Sequence, residues 1–177
     1  SDQLPRDFAT AAKWYQDAVN ADATFSAAVI NLAELYMTGR GVDKNFGEAL
    51  RLLKTVESSD VDAKAALARL YGLGEEGFDD LEKKKQYQQE AAEGGSIVAL
   101  RDLARESTGA EAKQYLHDAA VAGDISSQIE LGKDCAEQQE FADALHWLST
   151  AANKGNLEGK ELLLRLGEQV ENALFGQ

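Results

Sequence analysis

The protein has 177 residues, 44% of them apolar, so it has the length of one domain or a short repeat array and enough apolar material to bury a core. A net charge of −13 argues against nucleic acid and anionic membrane surfaces as partners, since both repel such a molecule at long range; it favours solubility and a partner with a basic patch. Cys135 is the one cysteine, so neither an intramolecular disulfide nor a thiolate metal site can form, and no apolar run approaches a membrane span.

Good helix formers dominate, and the single proline, Pro5, sits where a first helical turn tolerates it. Composition therefore predicts an all-α protein. The sequence opens on Ser1 rather than methionine, which is compatible with a removed leader or upstream segment. A protein without disulfides is at home in either cytoplasm or periplasm.

From the N-terminus onward, ten helices are predicted, alternating between two kinds. A second-type helix over 6–21 comes first, with Trp14 followed by Ala18-Val19. A first-type helix over 27–38 follows, in which Ala28 leads to Leu32-Ala33. The pair 46–58 and 62–72 carries Leu52 with Val56, then Ala63 leading to Leu67-Ala68. In 80–93 Tyr87 precedes Ala91-Ala92 and Gly95, and in 97–107 Ala99 leads to Leu103-Ala104. In 110–122 Tyr115 precedes Ala119-Ala120 and Gly123, and in 126–137 Ser127 leads to Leu131-Gly132. In 141–153 Trp147 precedes Ala151-Ala152 and Gly155, and 158–174 closes with Gly159 before Leu163-Leu164.

The first-type motif returns at intervals of 35, 36, 28 and 32 residues, the length of a helix–turn–helix unit. The second-type motif offers one bulky knob beside a small-residue groove, which close helix packing requires. Its trailing glycine falls where a helix C-terminus favours a left-handed residue. The expected architecture is an α/α superhelical solenoid of about five helix–turn–helix repeats in one domain over 1–177. Units fall near 27–61, 62–95, 97–123 and 126–155, with a final helix at 158–174 and an unpaired helix at 6–21. Leu162, Leu163, Leu166, Val170 and Leu174 give the final helix a broad apolar face, as a cap that folds back or as one step of a longer array.

The segment Tyr36-Met37-Thr38-Gly39-Arg40-Gly41-Val42, followed by Asn45-Phe46, Glu48-Ala49 and Leu52, closely resembles the Sel-1-like repeat, a relative of the tetratricopeptide repeat. Asn45 stands where that family has aspartate, Glu48 where it has lysine, and Leu52 where it has tryptophan. The 71–95 unit keeps Tyr71, Gly74, Asp80, Lys83, Tyr87 and the Ala-Ala pair but lacks the Gly-Val step. Later units lack the glycine loop, so the pattern is expected to weaken towards the C-terminus. The resemblance spans residues 7 to 167. It implies a curved superhelix that binds peptides or protein surfaces. It also implies a bacterial, often exported, setting with adaptors, regulators, assembly factors and immunity proteins against secreted effectors, so a periplasmic location is favoured over a cytoplasmic one.

No catalytic constellation is legible, and no cofactor is expected. His117 and His146 lie in different units without an H-x-x-x-H spacing, which leaves a zinc site unsupported. Cys135 occupies the slot that Tyr36 and Tyr71 hold in earlier units and reads as a small buried hydrophobe.

One pattern points to a binding surface. The residue after the second small residue of the first-type motif is expected to face the concave groove. Along the units it is Glu34, Arg69, Arg105, Lys133 and Arg165, with Arg101 one turn before Arg105. A basic row of this kind suits a carboxylate-rich segment or a free terminus, because arginine offers a planar fork. Two alternatives stand beside it: the slot lies in the last helical turn, where the dipole favours cations anyway, and neighbouring glutamates would neutralise it. The expected function is a non-enzymatic protein-interaction module whose partner is an acidic peptide or a basic effector. The alternative is a structural spacer within a larger scaffold.

Overall fold

The structure is a computed structural model that describes residues 7–75 and 77–175, with side chains described as far as Glu171. Ten helices follow one another: α1 (Phe8–Ala21), α2 (Ser26–Thr38), α3 (Phe46–Val56), α4 (Val61–Tyr71), α5 (Leu81–Glu93), α6 (Ile97–Glu106), α7 (Gly109–Val121), α8 (Ile125–Glu137), α9 (Phe141–Asn153) and α10 (Leu157–Phe175). Each of the ten predicted helices is present within about two residues of its expected bounds. Among the described residues there is no strand. Pro5 and Leu174, as side chains, lie outside what is described.

Local chemistry sets the helix ends. Asp7, Asn45, Asp60, Asp80 and Asp124 are N-caps whose side chains accept from backbone N–H groups of the first turn. The predicted glycines after α5, α7 and α9 do adopt positive φ, at 84° for Gly95, 107° for Gly123 and 86° for Gly155. A shared bond closes three first-to-second-type loops of different length. The Tyr36 carbonyl accepts from Asn45 N–H at 2.9 Å, Tyr71 from Asp80 at 3.2 Å, and Cys135 from Glu140 at 2.8 Å. Cys135 is thus the structural equivalent of the two tyrosines, as its place in the repeat predicts.

The fold comprises two compact units, residues 1–99 and 100–177, with the boundary inside α6. In the first, consecutive helices pack as antiparallel pairs around Leu32, Leu52, Leu53, Leu67 and Leu70, each no more than 1% exposed. Burying such a side chain contributes roughly 1.5–3 kcal/mol. Gly41 (φ 74°) lets the α2–α3 loop pass against the first turn of α1, since a Cβ there would lie 2.3 Å from the Phe8 carbonyl. In the second unit Ala144, Leu148 and Leu166 form one buried cluster, with Cys135, Phe141, Leu162, Leu163 and Val170 half-buried around it, and Leu100, Ala119, Ala120, Ile129, Ala151 and Ala152 are buried as well. Gly132 brings α8 onto α9, because a Cβ there would meet the Leu148 side chain at 2.6 Å. The final helix packs on both α8 and α9, as an ordinary first-type helix does.

The knob positions behave differently from one another. Tyr87 of α5 stacks on Tyr71 at 5.9 Å and its hydroxyl accepts from Lys54 of α3 at 2.5 Å. Trp147 of α9 meets His117 of α7 edge-on at 5.6 Å. Both of these knobs therefore rest on the second-type helix before them. Trp14, expected to pack in the same manner, is 70% exposed, because no second-type helix precedes α1 among the described residues.

Candidate partner-binding surface

First-type helices touch one another directly, α2 with α4 in the first unit and α8 with α10 in the second. Within each unit they form a side-by-side layer, so the slot residues predicted from the repeat do line up across neighbouring helices. What they meet there is mostly carboxylate.

In the first unit Arg69 of α4 reaches back to Glu34 of α2, its equivalent one repeat earlier, in an ion pair. In the second unit Arg101 pairs with Asp124 at 3.6 Å, Arg105 with Asp102 at 3.0 Å and Lys133 with Glu158 at 2.6 Å. The expected basic row is therefore largely compensated from within the molecule. Exposed pairs of this kind add only ~0–1 kcal/mol each to stability, so their carboxylates can be exchanged for a ligand's at low cost. Arg165 differs: it is exposed and makes no ion pair among the described residues.

Lys133 and Arg165 stand on the rim of one groove of about 220 Å³ between α8 and α10, floored by Leu148, Leu162 and Leu166. Arg101 and Arg105 share a second hollow of about 240 Å³ with Ser126 and Glu130. Arg69 belongs to the first unit and lines neither. The α8–α10 groove, whose rim also carries Glu137 and Gln169, joins an apolar floor to a guanidinium that makes no ion pair among the described residues, which suits a bulky apolar side chain next to a carboxylate.

The other reactive residues have packing roles. His117 and His146 both lie against Trp147. Burial, aided by Glu140, Asp143 and Asp134, pushes the Cys135 thiol up from its ordinary value, which keeps it protonated and unreactive. Among the described residues no group of three His, Cys, Asp or Glu is placed to hold a metal ion, and no helix is long and apolar enough to cross a membrane.

The Sel1 repeat model matches residues 1–22, 26–55 and 127–156. The protein carries Sel1 repeats. The match at 127–156 corrects the expected decay towards the C-terminus: divergence lies in the centre, across 56–126. The α8–α9 pair retains Gly132 against Leu148 and the Trp147, Ala151-Ala152, Gly155 series, and those packing positions define the repeat even without the glycine loop.

Two solved structures share the fold. A Sel1 repeat protein from Oxalobacter formigenes is 25% identical with a TM-score of 0.63, over 92% of this sequence and 50% of that one. A protective antigen present in uropathogenic Escherichia coli strains, displaying an SLR fold, is 23% identical with a TM-score of 0.57, over 89% of this sequence and 36% of that one. The 177 residues thus span half the length of the first and about a third of the second. A comparison with curated proteins finds no match. The protein has the all-α solenoid fold of Sel1 repeats, a class that generally mediates protein interactions.

Proposed function

We propose that the protein is a non-catalytic interaction module that holds an extended segment of a protein partner across its first-type helices, centred on the α8–α10 groove. One observation carries this reading: Arg165 is an exposed guanidinium that makes no ion pair among the described residues, set with Lys133 and Glu137 around an apolar groove in a unit whose other slot cations are paired. The partner segment presents a bulky apolar side chain beside a carboxylate, either an acidic residue or a free C-terminus. Lys133 joins the site by releasing Glu158. Arg101 and Arg105 add to it by the same exchange. The role is that of an adaptor, regulator or effector-neutralising protein; in the last case the acidic surplus of the molecule faces a basic effector, with salt-sensitive association.

Selection of a random peptide library on the immobilised protein tests this. Enriched peptides are expected to share an apolar residue next to a carboxylate, and Arg165→Ala combined with Lys133→Ala is expected to weaken them at least about tenfold with unchanged helicity. Arg69→Ala with Arg105→Ala is expected to have a smaller effect. Unaltered affinity in the Lys133/Arg165 double variant overturns the site.

A further inference from the structure

We propose that Glu130, in the groove one repeat before α8–α10, receives a lysine or arginine side chain of the same partner segment, an inference that rests on the function proposed above. Two open hollows in the second unit, of about 260 and 240 Å³, share Ala104, Leu116 and Glu130 and so adjoin at Glu130. Their walls are α6 from Arg101 to Arg105 and α8 from Ser126 to Asp134, and the floor is Ala112 and Leu116 of α7. Leu116 follows the Tyr115 knob as Leu148 follows Trp147, so this is the α8–α10 groove repeated one unit earlier.

The repeat also shows what differs between the two grooves. Counted from Ser127 in α8 and Gly159 in α10, Glu130 takes the place of Leu162, and Asp134 the place of Leu166. An acidic wall thus stands where the later groove has an apolar one. Asp134 is held by Lys113 at 3.1 Å, while Arg101 and Arg105 are held by Asp124 and Asp102. These three pairs cancel. The Glu130 carboxylate is exposed and makes no ion pair among the described residues, so its charge is the one this groove leaves over. A ligand's cation reaches it without displacing an internal partner, whereas a ligand's carboxylate at Arg101 or Arg105 first displaces Asp124 or Asp102. The methylene stem of lysine or arginine lies along Ala104 and Leu116 while its charged head meets Glu130.

Packed helices lie roughly 8–10 Å apart, and an extended segment advances about 3.3 Å per residue. The cation is therefore placed about three residues from the apolar residue that fills the α8–α10 groove. With a carboxylate taken at Arg165 and a cation at Glu130, the two subsites are of opposite sign and set the register of the segment on the surface.

Peptides enriched from a random library on the whole protein test this, each also made with its cation replaced by glutamine. Both forms are titrated at low salt against wild type, Glu130→Gln and the Lys133→Ala, Arg165→Ala double variant. Enriched peptides are expected to carry lysine or arginine about three residues from their apolar residue. Losing that cation is expected to weaken binding to wild type about fivefold, to make no difference on Glu130→Gln, and to cost the same factor on the double variant at its lower overall affinity. Circular dichroism of Glu130→Gln is expected to be unchanged, since the side chain is exposed. Peptides that depend on Arg165 but lack a cation at this spacing, or that lose as much with it on Glu130→Gln as on wild type, overturn the Glu130 subsite and leave the α8–α10 groove standing. Peptides coupled to Glu130 but indifferent to the double variant support the Glu130 pairing and overturn the α8–α10 groove. A selection that enriches nothing overturns both.

Discussion

The two units are built from one repeat and bury it to different depths. Residues 7–99 close around five leucines that are essentially inaccessible, and their loops are held by the glycine step at Gly41. Residues 100–171 hold Ala144, Leu148 and Leu166 as one buried cluster, with a surround of half-buried apolar side chains, and retain open apolar hollows on α8, α9 and α10. The contrast shows where a repeat array keeps its stability and where it keeps its surface. Apolar side chains that are not consumed in the core line the grooves, and regions with fewer buried contacts are the ones that open locally at lower free energy.

That contrast is most exposed to test in the core. Leu53→Ala, at a fully buried site, is expected to cost about 2–5 kcal/mol in urea unfolding, whereas Leu162→Ala on the groove floor costs about 1 kcal/mol. Equal losses would end the distinction between the units. Gly41→Ala comes next, at about 2–3 kcal/mol, since the added Cβ meets the Phe8 backbone and φ is positive. Gly132→Ala is expected to cost less, about 1–2 kcal/mol, because the wall it meets is the movable Leu148 side chain. Asp124→Ala removes the cap that accepts from Ser127 N–H at 2.8 Å and the partner of Arg101, for about 1 kcal/mol in thermal unfolding of the second unit.

The smallest effect is a pH dependence in the first unit. Lys64 of α4 donates to Glu90 of α5 at 2.7 Å, and this bond, with one from Gln86, lowers the Glu90 carboxyl below its ordinary value. A lowered carboxyl stabilises the fold above its unfolded value and loses that contribution as pH falls through the folded one. Wild type is therefore expected to exceed Glu90→Gln slightly near neutrality, with the gap closing on acidification below the ordinary carboxylate range. A gap that widens in acid would contradict the pairing.

Much of the fold was legible in the residues themselves. Small residues at fixed offsets, caps such as Asp80 and Asp124, and the glycines after α5, α7 and α9 each carry a local reason for a helix or its end. The equivalence of Cys135 with Tyr36 and Tyr71 was legible because a repeat keeps a backbone bond, not a side-chain type. The site was legible only as a row of positions. Lys133 and Arg165 were found by register, but the carboxylates that face Arg69, Arg101 and Lys133 come from other helices, and their pairing depends on side-chain reach that a one-dimensional period does not encode. The exposure of Trp14 was missed because a knob is defined by its motif but packed by its predecessor.

Most depends on whether a partner segment lies across α8 and α10. Amide hydrogen exchange of the protein, alone and saturated with the most enriched library peptide, reads this out directly. Slowed exchange confined mainly to residues 133–137 and 162–169 is expected, with Arg165→Ala removing it. Protection that falls instead on α3, α7 or α9 while α8 and α10 exchange unchanged would rule out the α8–α10 groove as the binding site.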